Sequence, residues 1–242
     1  MGKTLVIAEC GSSHDNDLAK AYRLIEAAKA CGADVAKFQW TSDASAMAHR
    51  RKAVGATEMY RKYLEKPVEW VQKLKLKCDE VGIEFMCTVY LIEDIEVITP
   101  LVNRFKASAF ENDWVDFVNA HPSDREIIIS RNKEGQVHWL GWPKRVLYCV
   151  SQYPTPVEEL ELERMRMTGA DGLSDHTTSM LTGALAVAMG ATCIEKHIRL
   201  SDTDSKNPDY GHSLAAAPYR GEDDICDFAT YVSNIRDAER CL

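Results

Sequence analysis

The sequence predicts an α/β fold, a single (β/α)8 TIM barrel over residues 1–242, on three observations. Short apolar runs alternate with longer stretches of helical spacing, and eight such runs occur in order. Eight strand–helix units need roughly 250 residues, which is what the chain offers. The runs are also nearly continuous in apolar residues, the mark of parallel strands covered by helices.

Leu5-Val6-Ile7-Ala8 reads as the first strand, backed by a helix with Leu18, Tyr22 and Ile25 on one face and closed by Cys31-Gly32. Asp34-Val35-Ala36-Lys37-Phe38 is the second strand, with a helix expected over 57–81. Ile83-Glu84-Phe85-Met86-Cys87 and Arg104-Phe105-Lys106-Ala107 follow, separated by a helix over 93–99. Glu126-Ile127-Ile128-Ile129, Arg145-Val146-Leu147-Tyr148-Cys149-Val150, Gly172-Leu173-Ser174 and Thr192-Cys193-Ile194-Glu195 complete the eight, and a helix over 222–240 closes the chain. Cys31-Gly32-Ala33-Asp34, Thr168-Gly169-Ala170-Asp171 and Met189-Gly190-Ala191-Thr192 repeat one joint, a glycine that ends a helix before a strand. Between Ser130 and Arg145, Gly135, Gly141 and Pro143 leave no room for a full helix, so the fifth helix is expected to be shortened or missing. An open doubly wound sheet competes, but no Gly-x-Gly-x-x-Gly follows the first strand.

The net charge of −8 weighs against a general nucleic-acid or anionic-membrane binder, whose affinity needs clustered Lys and Arg. A small anionic substrate needs only one local basic pocket. No window approaches the ~20 apolar residues of a membrane span. The amino terminus reaches Glu9 too early for a signal peptide. The eight cysteines include no Cys-x-x-Cys pair, so neither a zinc ribbon nor a redox motif is offered. A cytoplasmic protein with reduced thiols is the expectation.

Barrel enzymes place their chemistry at the carboxyl ends of the strands. Those ends here carry Glu9, Lys37 with Gln39, Thr88, Lys106 with Ser108, Ser130, Ser151, Ser174-Asp175-His176 and Glu195-Lys196-His197. Taken alone, each reads as a solvated rim residue. Eight filled positions instead form one ring around one pocket. Lys37 and Lys106 with the hydroxyls of Thr88, Ser108, Ser130 and Ser151 supply the charge and short donors that phosphate and carboxylate require. Glu9 is a candidate acid or base, and Glu195, two residues before His197, shares its face. His176 and His197 close adjacent strands and suit a borderline divalent metal, with a purely structural role as the competing reading.

Several of these segments resemble one known family, the N-acetylneuraminate (sialic acid) synthases. "IAECGSSHDND", "GADVAKFQ", "RFKASAF", "SQYPTP", "GLSDHT" and "IEKHIRL" resemble its strands and strand-end loops in order, and "NPDYGHSL" its following loop. The resemblance implies condensation of phosphoenolpyruvate with an aldose-type aldehyde acceptor, releasing phosphate and forming a nonulosonic 2-keto-3-deoxy acid. It implies that Lys37, Thr88, Lys106, Ser108, Ser130, Ser151 and Ser174 hold phosphoenolpyruvate. Ser151 stands where the family usually has Asn. His176 and His197 would ligate a divalent metal, Mn2+ first and Mg2+ or Co2+ as alternatives. Glu9 would handle the attacking water, and Gln39, Glu195 and Asp209 would contact sugar hydroxyls. The family continues into an antifreeze-like domain swapped across a homodimer; this sequence ends at Leu242, so a barrel without that domain is expected, and with it an open acceptor identity. A sugar- or phosphate-binding barrel without turnover, or a metal-dependent hydrolase or isomerase barrel, are the alternatives.

Overall fold

The computed structural model describes residues 2–132, 144–216 and 226–242. Eight parallel strands close on themselves in sequence order: β1 (Leu5–Gly11), β2 (Val35–Gln39), β3 (Glu84–Thr88), β4 (Arg104–Ala107), β5 (Glu126–Asn132), β6 (Lys144–Cys149), β7 (Gly172–Asp175) and β8 (Cys193–Arg199). Closure is by β1 on β8, with Leu5 opposite Cys193 and Glu9 opposite His197. A two-residue strand β9 (Leu214–Ala215) adds to the end of β8 at Ile198 and Arg199. All eight expected strands form, and the barrel is the fold. Among the described residues no helix is long and apolar enough to cross a membrane.

After α1 (Leu18–Ala30), the helices depart from expectation at two places. The segment 57–81 is two helices, α3 (Thr57–Tyr63) and α4 (Val68–Val81), not one. Pro67 is the reason: its ring disfavours a helical Lys66, and it stands extended at φ −54° and ψ 143° as α4 begins. An unexpected helix, α2 (Ala44–Arg50), precedes them, started by the Asp43 side chain accepting from the Ser45 and Ala46 amides. The last helix is described from Asp227 to Cys241, so the start of the expected 222–240 helix lies outside the described residues. So does most of the loop between β5 and β6, where a shortened fifth helix was expected.

Period-two alternation sorts the strand residues into layers inside the barrel. At the amino-terminal end Arg104 bridges Glu84 and Glu126, each at 2.8 Å, and Arg145 meets Glu126 at 3.2 Å. The next layer is apolar, with Ile7, Val35, Met86, Ile128, Leu147 and Cys193 packed together. Two residues further along the same faces stand Glu9, Lys37, Thr88, Lys106, Ser130, Cys149, Ser174 and Glu195. The intervening residues, among them Phe38, Phe85, Phe105, Ile129, Leu173 and Ile194, face the helices and form the main core.

That parity also separates two strand-end residues from the interior. Asp175 and Lys196 turn outward and pair at 3.1 Å, both without solvent exposure. Thr182, which opens the helix Thr182–Ala188, and Tyr231 of the last helix donate to the same Asp175 oxygen, at 2.5 and 2.8 Å. Burial opposes charge on Asp175, but Lys196 and these donors outweigh it and hold the carboxyl below its usual range. The pair therefore ties two helices to β7, which His176 follows, and to β8, which carries His197. Asp175→Asn leaves the Lys196 ammonium uncompensated and is expected to lower the unfolding free energy by about 3 kcal/mol in urea titrations. Pairing it with Lys196→Met should recover part of that loss. A single-variant loss below about 1 kcal/mol contradicts the assignment.

Candidate active site

Strand alternation delivers eleven of the expected site residues to one well at the carboxyl-terminal mouth. Glu9, Lys37, Gln39, Thr88, Lys106, Ser108, Ser130, Ser174, His176, Glu195 and His197 all line it. Its floor is a linked set of charges. Lys37 contacts Glu9 directly and lies 3.6 Å from Glu195, which in turn is 3.7 Å from Lys106. Lys37 donates to Thr88 Oγ1 at 3.1 Å, Lys106 to Ser130 Oγ at 2.8 Å, and Ser174 Oγ to Glu195 at 3.0 Å. Burial would raise Glu195, but Lys106 and Lys37 outweigh it and keep the carboxyl below its ordinary range. Burial pulls Lys37 down to about 8, with Glu195 opposing and Lys106 assisting. The second oxygen of Glu9 accepts from the Gly11 amide at 2.7 Å, which fixes the carboxylate against the well.

Above the well lies a wider chamber of about 340 Å³. The two spaces share Gln39, Tyr90, Ser108, Phe110, Tyr153 and His197. Tyr90 donates to Gln39 Oε1 at 2.7 Å and so orients that amide. Helix α2, which sequence reasoning missed, is capped at its carboxyl end by Arg51, whose guanidinium grips Glu111 through two bonds of 2.6 and 2.8 Å. The same guanidinium sits over the Tyr90 ring at 4.5 Å. Arg51 thus reaches the chamber wall as a cation already committed to Glu111.

One expected residue is placed elsewhere. Ser151 is exposed and does not line the well; β6 ends at Cys149, and that thiol takes the lining position. Asp209 lines the outer chamber rather than the well. Its carboxylate accepts from the Ser12 amide and hydroxyl at 2.6 and 2.8 Å. Gly11 is what lets it approach: at φ +43°, a Cβ there would stand 2.2 Å from Asp209 Oδ2.

The histidines converge on the border between the two spaces. His176 Nδ1 lies 2.9 Å from the Val150 carbonyl, which accepts its proton and leaves Nε2 with the lone pair. Burial pushes His176 down to about 4 and His197 well below its ordinary value, so both are neutral, the ligand form. The ring centres of His176 and His197 are 5.8 Å apart. His212, which the sequence analysis did not single out, lies 4.5 Å from His197 and joins it and Asp209 with one donor atom of each residue within 4.8 Å of the others. Two imidazoles, a carboxylate and buried nitrogens with no hydrogen-bond partner among the described residues fit a divalent metal. The Asp-x-x-His spacing from 209 to 212 was the signal available in the sequence.

Comparison with known proteins gives this geometry a lineage. The model of the NeuB family matches residues 24–240. The N,N'-diacetyllegionaminic acid synthase of Campylobacter jejuni is 30% identical, over 88% of this chain and 72% of its own. The human N-acetylneuraminate-9-phosphate synthase is 29% identical, over 98% of this chain and 70% of its own. Among solved structures, the N-acetylneuraminic acid synthetase of Leptospira borgpetersenii superposes with a TM-score of 0.82 at 22% identity, covering 99% of this chain and 85% of that one. The last shares the fold; the family match spans nearly the whole barrel, and the chain belongs to the NeuB family.

Proposed function

We propose that this barrel condenses phosphoenolpyruvate with an aldose-type aldehyde, forming a nonulosonic 2-keto-3-deoxy acid and releasing phosphate. The observation that carries the reading is the two-tier mouth. A charged, hydroxyl-lined well lies beneath a wider chamber walled by Tyr60, Tyr90, Phe110 and Tyr153. Two buried ammoniums with hydroxyls beside them suit a small, highly charged ester. Aromatic walls with scattered polar groups suit a sugar above it.

In this reading Lys37 and Lys106 turn from their carboxylate partners to the phosphate and carboxylate of phosphoenolpyruvate. Thr88, Ser108, Ser130 and Ser174 supply short donors around them. C3 of phosphoenolpyruvate bonds to the aldehyde carbon, water adds at C2, and phosphate departs with its bridging oxygen. Glu9, anchored by Gly11, holds that water and takes its proton. Gln39 and Asp209 line the acceptor side, and Glu195 stands in the floor of the well between Lys37 and Lys106. A divalent metal bound at His176, His197 and their neighbours would polarise the aldehyde as a Lewis acid. Mn2+ is the ion first expected there.

Lys106→Met is expected to abolish calorimetric binding of phosphoenolpyruvate, a loss of a hundredfold or more. His197→Ala should spare that binding. Binding retained in Lys106→Met contradicts the placement of the anion. For turnover, the protein is incubated with phosphoenolpyruvate, Mn2+ and a panel of aldoses. The expected result is acceptor-dependent phosphate release. Phosphoenolpyruvate binding without release from any acceptor favours a binding barrel, and metal binding without phosphoenolpyruvate binding favours another class of enzyme.

A further inference from the structure

We propose that His212 is a third imidazole ligand of the divalent-metal centre, and that it turns the centre towards nitrogen-preferring first-row ions such as Co2+ and Zn2+ and away from Mg2+. The inference rests on the metal-assisted reading above and deepens it. The expected pair, His176 and His197, is a minimal set that most divalent ions accept. A third imidazole changes that.

The backbone explains how His212 arrives. Asp209 caps a 3₁₀ turn, Tyr210–His212, and in such a turn residues three apart eclipse one another. The Asp209 and His212 side chains therefore rise on the same side, towards His197. His212 Nε2 lies 3.6 Å from one Asp209 oxygen and His197 Nδ1 3.8 Å from the other. These separations are too long for hydrogen bonds. They suit donors around one ion, since two bonds of about 2.1 Å opened to a tetrahedral angle leave their donors about 3.4 Å apart.

A second observation is independent of that spacing. His197 Nδ1 and His212 Nε2 are both buried with no hydrogen-bond partner among the described residues, in side chains of residues only 7% and 4% exposed. A buried nitrogen left unpaired forfeits its hydration without a replacement, and two of them flank the same carboxylate. The ring separations bear on the same point. An imidazole centre lies about 3.2 Å from an ion on its nitrogen, so rings sharing one ion stand about 5.2 Å apart at a tetrahedral angle and up to about 6.4 Å apart at the wider angles of a five- or six-coordinate ion. The pairs measure 4.5 Å for His197–His212, 5.8 Å for His176–His197 and 6.3 Å for His176–His212. Three neutral imidazoles with a carboxylate are a poor cage for Mg2+, which takes oxygen ligands, and a good one for later first-row ions.

The test titrates metal-free full-length protein with Co2+, followed by visible ligand-field absorption and by calorimetry, with Mg2+ as the competitor. The expected result is Co2+ binding at least a hundredfold tighter than Mg2+. His212→Ala should weaken Co2+ at least tenfold and alter its spectrum, with Mg2+ affinity unchanged. His212→Gln carries the same test if circular dichroism shows that the alanine variant does not fold. An unchanged spectrum and affinity in both His212 variants, with Co2+ lost in His197→Ala, overturns the proposal and leaves the two-histidine metal reading standing. No binding of Co2+, Mn2+ or Zn2+ by the unaltered protein overturns the metal reading itself, and this proposal with it.

Discussion

Four charges share the buried upper layer of the barrel: Glu9, Lys37, Lys106 and Glu195, each no more than 4% exposed. Taking one such ion out of water costs several kcal/mol, so none is tolerable there without the others. Two ammoniums and two carboxylates cancel, and the chain of contacts from Glu9 through Lys37 and Glu195 to Lys106 links all four. Hydroxyls at Thr88, Ser130 and Ser174 take up hydrogen-bonding capacity that the ion pairs leave over. Beneath lies an apolar layer that offers no polar partners. The set is neutral as it stands, and an anion bound there would have to draw the lysines away from the carboxylates that now hold them.

The rest of the fold serves that arrangement. Each of the four comes from a different strand, so their separations are set by barrel closure rather than by a flexible loop. Outside the barrel, the Asp175–Lys196 pair and Tyr231 fix β7, which His176 follows, and β8, which carries His197. Gly11 opens room for the loop that carries Asp209. Well and chamber meet at His197, where chemistry at the anion and at the acceptor would have to meet as well.

The barrel and most of the well were legible because a strand is a strict local code. An apolar run followed by a polar residue names the strand end, and the alternation then says that Lys37 and Gln39 share a face while Lys196 does not share that of His197. Loops carry no such period. Ser151 has the parity of Leu147 and Cys149, but the strand stops at Cys149 and the parity means nothing two residues later. Helix α2 is only seven residues long, and its buried positions Ala44, Met47 and Ala48 make too short a stripe to stand out. His212 lies on a turn beyond the last barrel strand, and only folding sets it against His197.

Proton uptake on phosphoenolpyruvate binding tests the central claim most directly. Burial holds Lys37 at about 8 in the free well. A bound trianion beside it must raise that value, so at pH 8, where free phosphoenolpyruvate is already a trianion, Lys37 gains protonation on binding. Calorimetry in buffers of different ionisation enthalpy should then report net proton uptake at pH 8, absent in Lys37→Met. Binding with no proton uptake at pH 8, or uptake that survives Lys37→Met, would contradict an account in which the anion lands on the buried charge cluster.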